Sequence, residues 1–263
     1  MGLIICYPKK AEHPLYVEDL GVRISTLEEL CYIIHEFPII LDERFLESGV
    51  ISFVKYELGI NLHVEGQKCD EIFLGILSLG DYYSANEIDH FRMKLSELRT
   101  METYRFLKMR GDFMFSIQRY GRAIRFYTDA VSAAEQSNAS KNILSQLFAN
   151  IGSANANLFR YDAAFAAYKS SLEYEQNRNV VKMIYFLSFM DPVIENKETY
   201  QSFCEGRIDP AWDREYDTIT EKVRTSVAVD KLREELNRDA LKRAKTISDY
   251  YVSWKQDYRK MIE

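Results

Sequence analysis

The residues best suited to catalysis or metal binding are four histidines, His13, His35, His63 and His90, and four cysteines, Cys6, Cys31, Cys69 and Cys204. Successive cysteines are 25, 38 and 135 residues apart, which matches neither a zinc motif nor a disulfide framework. His63 and Glu65 lie near Cys69, but the trio is no recognised ligand set. Glu47-Ser48-Gly49 is not a nucleophile elbow, and there is no Walker loop and no GxGxxG. The expectation is a non-enzyme without metal or cofactor, whose thiols are reduced and mostly buried as in a cytosolic protein.

The polar chemistry that stands out is hydrogen bonding. The stretch 145–157 reads SQLFANIGSANAN. Asn is a poor helix former, yet three fall between positions 150 and 157, alongside a Gly. Asn150, Ser153 and Asn157 stand at i, i+3 and i+7 and share one helix face, with Gln146 a turn earlier. Short amides on such a face can bond a peptide backbone without reading its side chains. Close packing that demands small residues is the alternative reading of the same stretch.

The element that would carry this face belongs to a pattern present twice. Leu107, Gly111, Tyr120, Ala123, Tyr127 and Ala130 are matched by Phe148, Gly152, Tyr161, Ala164, Tyr168 and Ser171, always 41 residues on. From Tyr120 or Tyr161 onward the steps are helical, so the small residues and the aromatic share a face. The chain turns at Gln118–Gly121 and at Phe159–Asp162. Each helix pair leaves an apolar face that only a neighbouring pair can cover.

These residues resemble the tetratricopeptide-repeat (TPR) family, whose pattern runs aromatic or Leu, Gly, Tyr, Ala, aromatic, Ala, Pro. Both copies lack the final Pro, with Glu135 and Gln176 in its place, and the period exceeds the usual one of about 34. The polar stretch 134–141 holds the longer turn. The opening block EHPLYVEDLGVRISTLEELCYII is also similar to the N-terminus of a group of bacterial TPR-like proteins to which no activity is attached.

The resemblance implies an all-α, right-handed helical-repeat array in which the first helix of each pair lines a concave groove. Gln146, Asn150, Ser153 and Asn157 would line it from copy two, and Lys108, Asp112 and Phe115 from copy one. Some family members hold a C-terminal carboxylate with a Lys-and-Asn clamp. Lys108 and Asn150 suit that clamp, but Asp112 stands where it would want Asn, and an acid there opposes a carboxylate.

Composition fits this class. With 47% apolar residues, 5 Pro and 11 Gly, the chain can build a substantial helical core. A net charge of −6 argues against broad nucleic-acid binding. Short helices are expected at 26–35, 43–48 and 50–58, which invites comparison with a DNA-reading helix-turn-helix. Seven acids against two bases between Ser25 and Ile60 argue against that reading. No stretch approaches a membrane span. Leu3–Tyr7 is too short for a signal peptide and reads as a short strand. Met1-Gly2 lacks the Ser or Thr that myristoylation wants, because Cys6 holds that position.

The expected organisation is a helical N-terminal region at 1–68, helix pairs at 69–192 and a C-terminal segment at 193–263. Thr26-x-x-Glu29 and Ser84-x-x-Glu87 read as capping boxes. The clear copies occupy 103–135 and 141–176. A further apolar helix is expected at 180–189, then a loop or short helix to 210. From Ala211 onward there is no Gly or Pro, which predicts a long helix broken at most once, near 227–232. Near its end Leu236, Ala240, Ala244, Ile247, Tyr251, Trp254, Tyr258 and Met261 form one stripe. Ile247, Tyr251, Trp254 and Tyr258 would either cap the last helix pair or join a second copy of the chain. The reading that fits best is a cytoplasmic adaptor for a protein or peptide. A peptide-responsive regulator and a structural subunit self-associating through the tail are the rivals.

Overall fold

The computed structural model describes residues 9–237 and 239–262. The strand expected at Leu3–Tyr7 lies outside them, as does Cys6. Thirteen α-helices, one short 3-10 helix, two π-helical stretches and one two-stranded hairpin make up the regular structure of the described residues. The chain divides into two compact units, Met1–Arg110 and Gly111–Glu263, with the division inside one helix.

In the first unit the expected irregular lead-in contains an antiparallel hairpin, β1 (Leu15–Val17) and β2 (Val22–Ile24), with Leu15 opposite Ile24. Three-residue strands leave too little alternation to see in the sequence. Helix α1 (Leu27–Glu36) begins at the capping box formed by Thr26 and Glu29 and buries Leu27, Leu30, Cys31 and Ile34. The short α2 (Glu43–Phe45) is capped by Asp42 and continues into π-helical stretches, Leu46–Val50 and Phe53–Glu57. The two α-helices expected at 43–58 are therefore mostly wider turns, kinked where Gly49 takes φ 113°.

Helices α3 (Cys69–Leu79) and α4 (Ala85–Thr100) complete this core, and the second capping box forms at Ser84 and Glu87. Arg99 donates to both oxygens of Asp70 and to the Leu41 carbonyl, tying α4 to α3 and to the turn before α2. Cys31 is fully buried, and burial pushes its thiol up to about 12.

Helix α5 (Thr103–Ser116) spans the division. In the second unit α6 (Tyr120–Gln136), α7 (Lys141–Asn157) and α8 (Tyr161–Tyr174) follow as close antiparallel neighbours. Positions 41 residues apart have matching geometry. A Cβ on Gly111 would stand 2.5 Å from the Tyr127 ring, and one on Gly152 2.5 Å from the Tyr168 ring. Each Gly lets an aromatic of the next helix lie on its backbone. Gln118 and Phe159, in the two turns, have φ of 62° and 59°. Ala123 and Ala164 are fully buried at the helix contacts. Where copy two replaces Ala130 by Ser171, the buried Ser171 hydroxyl donates to the Ser145 carbonyl at 2.8 Å and meets the Ser145 hydroxyl at 3.0 Å. The extra oxygen is thus satisfied inside the core.

Next come α9 (Arg178–Met190) and α10 (Ile194–Cys204), which occupies the segment expected as a loop or short helix. The expected long C-terminal helix is three helices: α11 (Ala211–Arg224), α12 (Val227–Leu236) and α13 (Ala240–Ile262). The breaks come from side-chain caps rather than from Gly or Pro. Ser226 accepts from the Val229 N–H and Asp239 from the Lys242 N–H, and each restarts a helix.

Trp212 of α11 is buried against α9, where Tyr185 donates to Asp213 at 2.7 Å. Helix α11, not the final stripe, therefore packs on α9. The C-terminal end of α13 turns back onto α6 and α7.

Candidate functional site

Helix α7 carries a line of amides along one face. Gln146 donates to the Asn142 side-chain oxygen at 2.7 Å, and Asn142 donates to Glu175, just past the end of α8, at 2.6 Å. A turn further on, Asn150 donates to Asp112 at 3.2 Å. Asp112 also accepts from the Tyr127 hydroxyl at 2.8 Å, so α5, α6 and α7 meet at one carboxylate. Burial, then the Asp112 charge, holds the Tyr127 phenol far above its ordinary range, so it stays a proton donor to Asp112. Ser153 donates to the Ala149 carbonyl at 3.0 Å and meets the Tyr168 hydroxyl at 3.2 Å. Burial raises the Tyr168 phenol as well. Asn157 donates to the Ser153 carbonyl at 2.9 Å and is exposed.

The fold thus joins Asp112, Asn150 and Tyr127 by hydrogen bonds, while Ser153 on the same face of α7 meets Tyr168 separately, with Gln146 and Asn157 at the two ends of the face. Phe115 lies elsewhere. It packs edge-on to Tyr120, centroids 5.1 Å apart, in the cluster that receives Met261 and Ile262. Lys108 is half-buried on the part of α5 that belongs to the first unit. Tyr127 and Tyr168 bond to this face but are not marked for it by the sequence. Aromatics at their helical spacing indicate packing, and that spacing gives no sign of where a hydroxyl ends.

The patch offers amide and carboxylate groups suited to hydrogen bonding and presents no nucleophile paired with a base. Among the described residues no cluster of His, Cys, Asp and Glu could hold a metal ion. Burial raises the Cys69 and Cys204 thiols to about 11, which disfavours the reactive thiolate.

Two further surfaces of the second unit are relevant. An open cavity of about 750 Å³ lies between the α7–α8 turn (Phe159–Asp162) and the α9–α10 turn (Met190–Val193). Its floor includes Asp191, which accepts from Tyr200 at 2.8 Å, Val193 N–H at 2.9 Å and Asn196 at 3.0 Å. Burial alone would raise that carboxyl, but the hydrogen bonds outweigh it and hold it below its ordinary range. The second surface is the tail stripe. Ile247, Tyr251 and Trp254 are 54%, 64% and 59% exposed, whereas Tyr258 reaches the Leu158 carbonyl at 3.3 Å and lies beside Phe159. Among the described residues no helix is long and apolar enough to cross a membrane.

No protein-family model matches the chain, and no curated protein or solved structure matches it.

Proposed function

We propose that this chain is a TPR-like adaptor that binds an extended peptide segment of a protein partner along the amide face of α7. The observation that carries the reading is the line from Gln146 through Asn150 to Asn157, set on a helix whose neighbours repeat one geometry at a 41-residue offset. An amide has two donor hydrogens and an acceptor oxygen, so Gln146, bonded to Asn142, and Asn157, bonded to its own helix, keep capacity for a ligand. A peptide backbone presents the complementary groups at regular spacing, so such a face favours extended chains over any one side chain. The Asp112 carboxylate in the patch favours a peptide's interior or a basic residue over a C-terminal carboxylate. The reading is non-catalytic, places the protein in the cytoplasm of a bacterium, and calls for no cofactor.

Selection from a displayed random-peptide library tests it. Selected peptides should bind the wild-type chain and lose about tenfold or more in affinity for N150A/N157A. Peptides that bind both chains equally would place the site elsewhere and overturn the reading.

A further inference from the structure

From Ala240 to Met261 seven apolar residues of α13 recur in alternating steps of four and three, with Leu241, Tyr250 and Val252 off that line. These seven positions form a heptad seam three repeats long. Only its C-terminal end is covered. The Arg119 guanidinium donates to the Lys260 carbonyl at 2.9 Å, and Met261 and Ile262 pack against Tyr120, Ala154 and Leu158. Helix α12 takes a different face, the one that carries Thr246 and Tyr250. Between these contacts Ile247, Tyr251 and Trp254 remain more than half exposed on a helix fixed at one end.

We infer that α13 pairs antiparallel with α13 of a second copy of this chain. The side-chain volumes select both partner and direction. An antiparallel register that sets Ala244 opposite Trp254 of the second copy also sets Ile247 opposite Tyr251. Every layer then places a smaller side chain against a large aromatic, as close packing requires. A parallel pair would stack Trp254 on Trp254 and Tyr251 on Tyr251, and leave a gap where Ala244 meets Ala244.

Charge selects the same arrangement. Arg243 and Asp257 flank the seam at equivalent heptad positions, both exposed, and the antiparallel register brings Arg243 of each copy beside Asp257 of the other. Within one chain the two are 14 helical residues apart, about 21 Å, too far to pair. In the parallel register Arg243 would face Ser248, with no charge to meet.

Sedimentation equilibrium of the full chain over a range of concentrations is the test, with far-UV circular dichroism to verify the fold of each variant. The wild-type chain should approach twice its 30.8 kDa mass as concentration rises. Trp254→Asp should raise the dissociation constant more than about tenfold. Arg243→Asp alone and Asp257→Arg alone should each weaken the dimer, and the double reversal R243D/D257R should restore it. A wild-type monomer at every concentration would overturn the inference, as would a dimer indifferent to Trp254→Asp. Failure of the double reversal to rescue would overturn the antiparallel register.

Discussion

Gly121 and Ile262 touch backbone to backbone. A Cβ on Gly121 would stand 1.9 Å from the Ile262 carbonyl oxygen, so α6 accepts the end of α13 only because position 121 has no side chain. The contact is set by two residues 141 positions apart, and it decides which part of the tail is covered and which is left open.

Gly121→Ala separates two effects. In an isolated helix Ala would be favoured over Gly by about 1 kcal/mol. Here the added methyl must displace Ile262. The variant should show no gain in urea stability and faster amide hydrogen exchange over residues 258–262. A gain of about 1 kcal/mol with unchanged exchange would show that the contact is not formed.

Gly152→Ala should destabilise by about 1–3 kcal/mol despite the better helix propensity, because its Cβ would enter the Tyr168 ring at 2.5 Å. Gly111→Ala should behave alike against Tyr127, the matched pair in the preceding helices. Urea melts of both variants test the correspondence, and a stabilised variant at either position would break it.

Asp191→Asn should cost about 1–3 kcal/mol at neutral pH, since one buried carboxylate serves Tyr200, Asn196 and the Val193 N–H. The folded-state carboxyl titrates below its ordinary value of 3.8. Its contribution is therefore fully present above about pH 3.8 and is lost as pH falls through the lower folded value. The gap in stability between wild type and variant should narrow over that acid range and stay constant from pH 5 to 8.

N150A/N157A should change stability little. In a half-exposed setting Asn150 loses its 3.2 Å bond to Asp112 and its hydrogen bond with Tyr127, and Asn157 loses a bond to its own helix. Each replacement also regains roughly 0.5 kcal/mol of helix propensity. A melting curve near that of the wild-type chain is expected, which makes a loss of peptide affinity in this variant a property of the site.

Local chemistry was legible in the sequence and long-range chemistry was not. Thr26 with Glu29 and Ser84 with Glu87 announce their helices because a capping box closes within four residues. The amide face of α7 was legible for the same reason, being one helix read at its own period. The breaks at Ser226 and Asp239 were hidden because these caps sit in a run without Gly or Pro, where periodicity continues across them. The meeting of Asp112, Tyr127 and Asn150 depends on three helices stacking in register, and the burial of Asp191 on α10, which was read as a loop or short helix. Trp212, not Trp254, packs on α9 because α11 turns back first, and helical periodicity cannot tell which of two amphipathic helices does so.

The most direct test of the adaptor reading is site-specific photo-crosslinking to a selected peptide. A photoreactive residue replaces Gln146 on the α7 face in one variant and the exposed Glu173 of α8 in another. Crosslinking from position 146 and none from 173, abolished by excess unlabelled peptide, is the predicted result. Crosslinking from 173 alone, or equally from both, would contradict a peptide site on the amide face of α7.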